Sequence, residues 1–314
     1  MALRVLVIAN KWWECDPLLN VLLNDNARPA SALGWPRPLH FPLPRPDQNH
    51  LPKENPDPKP RAVFHLSNIS VEVWCISDLL EHLPDVPSDN GKYQSSSEQK
   101  MKYLPRIFDG KRPDFVVAFG TAAYPSTTSE NGSVVVGSRV FLHNGHPSSD
   151  PNPNSQWQKG PFDEIIESDI TDDVFNRLTV IETSPTPSVI GRFIVPPLNP
   201  VLNAKLLARH DYVALSEINV TDYTEYTVKD TETVSAFSKT NNISLASSLE
   251  TTHGLIRVSS DAPFVFVSGI TDPVGFFGTE VNPRSYAQNT VAAHNAGIVV
   301  AWMLPQLDSL MGES

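Results

Sequence analysis

The sequence predicts a single three-layer α/β/α domain with a central mixed sheet. Short apolar runs typical of buried strands alternate with helical segments along all 314 residues, and no period of 20 to 50 residues recurs. A chain of this length can bury a large core. No linker divides it, so we expect one domain over residues 1–314, interrupted by a Pro-rich insertion at about 29–60.

The predicted strands are apolar and rich in Val, Ile or Phe. They cover residues 4–9, 62–66, 69–76, 114–119, 211–215 and 264–267, with a hairpin or a bent strand at 134–136 and 139–142. Residues 10–16 and 120–123 are predicted to be the loops after two of these strands. The predicted helices cover residues 17–23, 77–83, 100–108, 162–178, 247–258 and 289–303.

Composition excludes several classes of partner. The net charge of −11 argues against a nucleic-acid backbone or an anionic membrane, whereas a small ligand in a pocket remains compatible with it. Two cysteines do not suggest a disulfide framework. The chain enters a strand-like run at once and has no apolar run near 18 residues, so we expect no signal peptide, no membrane span and a cytoplasmic location.

The insertion holds ten prolines between residues 29 and 60, many of them in Pro-x-Pro pairs. Proline removes a backbone donor and fixes φ, so this segment cannot be a packed helix or a central strand. We expect an extended surface excursion. It is either an ordinary inserted loop or, alternatively, a flap over the active site or an oligomer contact.

The stretch PFVFVSGITD at 263–272 carries the most informative pattern. Its apolar run predicts a strand buried on both faces. The small residues that follow let a ligand approach the backbone. Asp272 comes at the carboxyl end, where open α/β sheets place their ligands. Asp272 is therefore either a functional carboxylate or the cap of a following helix.

Other polar groups are predicted at strand ends as well. Glu14 follows the first strand, Gly120 and Thr121 follow DFVVAF, and residues 216–220 follow YVAL. Glu250 lies 22 residues before the aspartate. Carboxylates that reach one cleft from different elements can take acid and base roles if their environments separate their pKa values.

Histidines offer weaker candidates. His143 and His146 could bind a metal, but no nearby Cys or paired carboxylate completes a ligand set, so a strand-end role is favoured and no metal is expected. His253 lies one helical turn after Glu250 in the predicted helix, where it either touches a ligand or has a structural role. No dinucleotide, Walker A or nucleophile-elbow motif is present, so we expect no cofactor.

Residues 246–304 resemble the C-terminal part of the purine nucleoside phosphorylase and nucleosidase superfamily. The matching pieces are Leu249-Glu250-Thr251, Ala262-Pro263-Phe264 and Thr271-Asp272. DFVVAFGTAA followed by VVVGSRVFL resembles the Gly-Ser/Thr-Ala-Gly loop of the superfamily and its next strand. RVLVIANKWWECDPLL is similar to the N-terminal strand and Glu-bearing loop of the methylthioadenosine/S-adenosylhomocysteine nucleosidases. The ordered matches span most of the chain.

This resemblance implies a nucleoside phosphorylase-like fold and three catalytic carboxylates. Asp272 would protonate or hydrogen-bond N7 of a purine as the glycosidic bond breaks. Glu250 would bind the ribose hydroxyls and stabilise an oxocarbenium-like transition state. Glu14 would hold and polarise the attacking water. Gly120 and Thr121 would contact the substrate near the nucleophile.

The resemblance also implies further substrate contacts. Ile218, Asn219 and Val220 would line the base, with Asn219 a contact to its edge, and Leu249 and Ser268 would complete the pocket. Members of the superfamily usually form homo-oligomers, and a dimer is favoured here.

Two departures bear on the reaction. Bacterial hexameric phosphorylases place an arginine two residues before the loop glycine, whereas this chain has Ala118. Nucleosidases carry an arginine where Ser268 stands. Since phosphate needs a charged clamp, water is favoured as the nucleophile. The expected function is hydrolysis of a purine nucleoside of the adenosine, inosine or methylthioadenosine type. A phosphate-dependent phosphorylase and a non-catalytic nucleoside-binding or storage protein remain the alternatives.

Overall fold

The computed structural model of the chain describes residues 2–23, 59–80, 100–101, 103–126, 128–143, 160–179, 193, 204–218, 226–276 and 287–313. Eleven strands of these residues form one mixed sheet. The strands are β1 (Leu3–Ala9), β2 (Ala62–His65), β3 (Ile69–Cys75), β4 (Phe115–Tyr124), β5 (Val134–Gly137), β6 (Arg139–His143), β7 (Ile165–Ile166), β8 (Leu206–Ala208), β9 (Val213–Glu217), β10 (Ala246–Glu250) and β11 (Phe264–Pro273).

Seven α-helices are described around this sheet. They are α1 (Trp12–Leu23), α2 (Ile76–Leu80), α3 (Pro105–Phe108), α4 (Asp172–Leu178), α5 (Tyr226–Ser238), α6 (His253–Val258) and α7 (Ala287–Gly312). None of the described helices combines the length and the hydrophobicity that a membrane span requires.

The helices pack on both faces of the sheet because the central strands are apolar on both sides. In β1, Val5 and Val7 belong to the core cluster that includes residues of α1 and α7. Leu6 and Ile8 belong to a second cluster, which includes residues of α2, α3 and α6. This alternation along a strand places one apolar layer on each face. The predicted three-layer α/β/α domain with a central mixed sheet is therefore confirmed.

Strand β4 is the branch point of the sheet. Along one edge, residues 115–119 pair in parallel with β1, and Ala123 then pairs with Leu249 of antiparallel β10. Along the other edge, residues 116–124 pair in parallel with β11. The first edge thus has a gap between its two partner strands, at residues 120–122. This gap lies at the carboxyl end of β1.

Helix α7 lies directly on β11. A methyl group added at Gly269 of β11 would overlap the carbonyl carbon and oxygen of Ala292 in α7. Glycine is therefore required there by the close approach of two backbones. This contact sets how closely α7 packs against the strand that carries Asp272.

Several predicted boundaries were wrong. Residues 12–16, predicted to be loop, open helix α1, and Pro17 lies inside that helix. Residues 247–250, predicted to be helical, belong to strand β10. Gly120 and Thr121 lie inside β4 rather than after it. β5 and β6 are not paired with each other, so the hairpin predicted as one of two alternatives is wrong, and the two strands pair with different neighbours.

The long terminal helix continues past its predicted end to Gly312, although Pro305 lies within it. Residues 29–58 of the Pro-rich insertion lie outside the described residues. The strands predicted at 62–66 and 69–76 are confirmed as β2 and β3 within one residue at each end.

Candidate active site

Glu14 caps the helix that carries it. Lys11 precedes α1, and its backbone N–H donates to Glu14 Oε2 at 2.8 Å. This is the return half of a capping box, in which a glutamate at the third helical position satisfies the N-cap amide. The other oxygen, Oε1, accepts from both the N–H and the hydroxyl of Thr121, each at 2.7 Å. The carboxylate therefore fills the gap in the edge of β4.

Glu14 is buried, with only 4% of its surface exposed. Burial raises its pKa, while the hydrogen bonds from Thr121 and Lys11 and the charge of His253 act to lower it. Burial is the largest of these effects because it removes water from the charged form. A raised pKa is what a group needs if it is to accept a proton during a reaction near neutral pH.

Glu250 is the last residue of β10, and its carboxylate contacts the backbone of the residues that follow it. Its Oε1 accepts from the Ser216 hydroxyl, and its Oε2 accepts from the N–H groups of Thr252 and His253, the latter at 2.7 Å. The Ser216 oxygen in turn accepts the N–H of Gly254 at 2.7 Å. The first N–H groups of a helix have no partner inside it. The Glu250 carboxylate accepts hydrogen bonds from two such groups and so caps the N-terminus of α6.

A β-bulge in β11 sets the direction of the Asp272 side chain. The register of β11 against β4 shifts between Ile270 and Asp272, which leaves Thr271 as the extra residue. The Thr271 hydroxyl donates to Asp272 Oδ1 at 2.6 Å. Bulges redirect a side chain out of the regular alternation of a strand. The residue is 1% exposed and lies at the end of strand β11.

Two more buried acids lie near Asp272. Asp230 of α5 is 2% exposed, and Glu217 at the end of β9 is fully buried. The pKa of Asp230 is raised well above its ordinary value, first by burial and then by the charges of Asp272 and Glu217. Glu217 Oε2 accepts from the Thr233 hydroxyl at 2.8 Å. Asp230 is thus a buried acid that binds a proton more tightly than an exposed one.

A buried lysine supports the turn after Glu250. Lys100 is 2% exposed, and its Nζ donates to the hydroxyl of Thr252 at 2.8 Å and to the hydroxyl and carbonyl oxygens of Thr251 at 3.2 and 3.3 Å. Burial, and then the charge of Lys11, lower its pKa to about 7, against the opposing charges of Glu250 and Glu14. It therefore titrates in the physiological range.

The three predicted carboxylates meet at the carboxyl-terminal half of β4. Glu14 binds Thr121, while Ala123 pairs with Leu249, next to Glu250, on one edge and with Asp272 on the other. Three elements that are distant in sequence, α1, β10 and β11, thus bring acidic residues to one short segment of β4. A group of carboxylates of which one, Glu14, has a raised pKa is typical of functional sites.

The other predicted substrate-binding residues have varied surroundings. Gly120 is adjacent to Glu14, since an added methyl group there would lie 3.2 Å from Glu14 Oε1. Ser268 is fully buried in β11. Leu249 and Ile218 are 3% exposed and pack in core clusters. Asn219 and Val220 lie outside the described residues.

The sequence reasoning missed Lys100 and Asp230. Lys100 lies in a short polar segment far from the motifs, and no local pattern marks it. Asp230 belongs to a weakly amphipathic helix, where one acid among polar residues looks solvent-exposed. Of the histidine pair considered for a metal, His143 Nδ1 lies 2.6 Å from Asp163 Oδ1, and His146 is outside the described residues.

Solved structures show what this arrangement is similar to. The methylthioadenosine/S-adenosylhomocysteine nucleosidase of Colwellia psychrerythraea 34H, in complex with adenine, aligns with a TM-score of 0.54 at 15% identity over 98% of this chain and 96% of that chain. The chain has the fold of the nucleosidases. No family model and no curated protein matches the sequence itself.

Two further structures have the same fold at similar distance. Futalosine hydrolase of Helicobacter pylori strain 26695 aligns with a TM-score of 0.54 at 13% identity, covering 97% of this chain and 98% of that chain. The Neisseria meningitidis methylthioadenosine/S-adenosylhomocysteine nucleosidase, in complex with methylthio-immucillin-A, aligns with a TM-score of 0.52 at 14% identity, covering 96% and 98%. Coverage near the full length of both chains confirms the nucleoside phosphorylase-like fold.

Proposed function

We propose that this protein is a nucleosidase that hydrolyses the N-glycosidic bond of a purine nucleoside, with water as the nucleophile. The observation that carries the proposal is the meeting of Glu14, Glu250 and Asp272 at one segment of β4. The similar structures were solved with adenine and with a nucleoside analogue, which supports a purine ligand. The substrate we propose is of the adenosine, inosine or methylthioadenosine type.

In the proposed reaction, the C1′–N9 bond breaks and its electron pair goes to the base. The base takes a proton at N7 from Asp272, because a neutral purine leaves better than an anion. A water molecule forms the new bond to C1′, and its proton passes to Glu14. Glu250 holds the ribose hydroxyls, and its negative charge stabilises the oxocarbenium-like transition state.

The surroundings of β4 favour water over phosphate. Ala118, at the position where the resemblance places the phosphate-binding arginine of the phosphorylases, is fully buried among apolar side chains. The nearby cation Lys100 already donates to three threonine oxygens. Phosphate needs several charged donors with free hydrogens.

The test is a chromatographic assay of adenosine, inosine, guanosine and methylthioadenosine, each with and without phosphate. Release of base and free sugar in phosphate-free buffer supports the proposal. Cleavage that requires phosphate and gives a sugar 1-phosphate contradicts it and identifies a phosphorylase. Binding without turnover under both conditions identifies a non-catalytic nucleoside-binding protein.

The acid role of Asp272 has its own control. Asp272→Asn should lower kcat by about 100-fold or more, the usual effect of losing a general acid. Asp261→Asn makes the same chemical change at an exposed residue that pairs with Arg112, and it should leave kcat unchanged. Equal activity of the two variants would show that Asp272 does not act as the acid.

A further inference from the structure

His253 lies between two of the three carboxylates. It is the first residue of α6, is 1% exposed, and stacks on Phe266 with ring centroids 5.8 Å apart. Its Nδ1 lies 3.5 Å from Ser268 Oγ and 3.9 Å from Glu250 Oε1. This side of the ring therefore faces the end of β10 and the middle of β11.

The opposite nitrogen faces the Glu14 side. A methyl group added at Gly120 would lie 3.4 Å from His253 Nε2 and 3.2 Å from Glu14 Oε1. Both atoms thus lie close to Gly120, and a side chain at this position would crowd both of them.

The charges around the ring come from several elements. Glu14 of α1 and Glu250 of β10 are acidic. Lys100 interacts electrostatically with both of these glutamates and with Lys11, so it adds a cation to the same neighbourhood. The nearest groups from β4 and β11 are Gly120, Ser268 and Phe266, which carry no charge. A positive charge on the ring is thus flanked by opposite charges on two sides.

Resting on the proposed function, we propose that His253 is a positioning residue, whose ring, when protonated, favours the ionised form of Glu14 and keeps it aimed at the attacking water. The charge of His253 acts to lower the pKa of Glu14, against the effect of burial. Without that charge, burial would favour the protonated carboxyl group, which cannot take a proton from water.

The first test is the pH profile of kcat/KM for His253→Gln. Loss of the cation raises the pKa of Glu14, so the acidic limb should move to higher pH by about one unit, a tenfold loss of activity on that limb. The control is His210→Gln. It removes a histidine ring whose Nδ1 lies 2.9 Å from the hydroxyl oxygen of Ser138 and that is not part of this group of carboxylates. A purely structural role of His253 would lower activity equally at every pH, and a stationary limb therefore overturns the inference.

The second test needs no turnover, and it measures the ring of His253 directly. In protein labelled with ¹⁵N-histidine, the ring signals are followed by NMR against pH, and the His253 signal is assigned by its absence in His253→Gln. Coupling is reciprocal, so Glu14→Gln should move the titration midpoint of His253 to lower pH by about one unit. An unchanged midpoint overturns the inference even if the protein is an active nucleosidase. A shifted midpoint in a protein that cleaves no nucleoside supports the coupling while the proposed function fails.

Discussion

The hydroxyl of Thr121 gives the sharpest test of how Glu14 is held. Thr121→Val keeps the shape of the side chain and the backbone N–H, which donates to Glu14 Oε1 at 2.7 Å. It removes only the hydroxyl, which donates to the same oxygen at 2.7 Å. The carboxylate then keeps two hydrogen bonds from the described residues, both of them from backbone amides.

The expected size follows from the charge of the acceptor. A hydrogen bond to an ionised group contributes about 1.5–3 kcal/mol. Since one pKa unit corresponds to about 1.4 kcal/mol, the pKa of Glu14 should rise by roughly one to two units in the variant. The sign is upward because the lost donor favoured the charged form, while burial, which favours the neutral form, is unchanged.

The assay is release of purine base from the best substrate, measured as kcat/KM across the pH range. In Thr121→Val the acidic limb should move to higher pH, with about 10- to 100-fold less activity at a pH below the limb. Thr121→Ser retains the donor and should keep the limb of the parent protein. If Thr121→Val and Thr121→Ser have the same limb, Glu14 is not the group that governs it.

Three further changes test the packing and the buried charges. Gly269→Ala should lower the free energy of unfolding by about 1–3 kcal/mol or more, because its methyl group overlaps the Ala292 carbonyl, and calorimetry should show a reduced Tm. Asp230→Asn should weaken the fall of stability above pH 4, since the folded wild type holds this proton more tightly than the unfolded chain. The free energy of unfolding is measured by denaturant titration at several pH values. If it falls with pH as steeply in Asp230→Asn as in the wild type, this prediction is contradicted. Lys100→Met should remove a rise in stability between pH about 7 and about 10, where the unfolded chain binds a proton that the folded chain has released. The same denaturant titrations, extended to alkaline pH, measure this rise in the free energy of unfolding. If the rise is still present in Lys100→Met, the prediction is contradicted.

The sequence was enough to predict the layered fold, whereas the catalytic roles of Glu14, Glu250 and Asp272 stay predictions. Apolar runs such as RVLVIA and DFVVAF are buried on both faces, and this pattern does not depend on distant residues. The alternation of such runs with helices then restricts the fold class strongly. Glu14 and Asp272 were selected because each follows an apolar strand, whereas Glu250 was selected from the SLETTHG segment, and the family resemblance supported all three.

Strand β10 could not be predicted in this way. Its sequence, ASSLE, has no β-branched residue, so local propensity does not favour a strand. The strand forms because β9 and the end of β4 offer it backbone partners on both sides. The same tertiary effect explains why Gly120 and Thr121 continue β4 rather than form a loop. Lys100 and His253 reach the site through the packing of segments that are distant in sequence.

The way in which two of the glutamates are held has a consequence for how such a protein can change over time. Of the six hydrogen bonds that the described residues donate to Glu14 and Glu250, four come from backbone amides. Any residue except proline supplies a backbone N–H. The neighbours of these carboxylates can therefore be replaced extensively while the carboxylates keep their positions. We expect distant relatives to be recognisable by strand register and by the spacing of the acids, after most of the surrounding side chains have diverged.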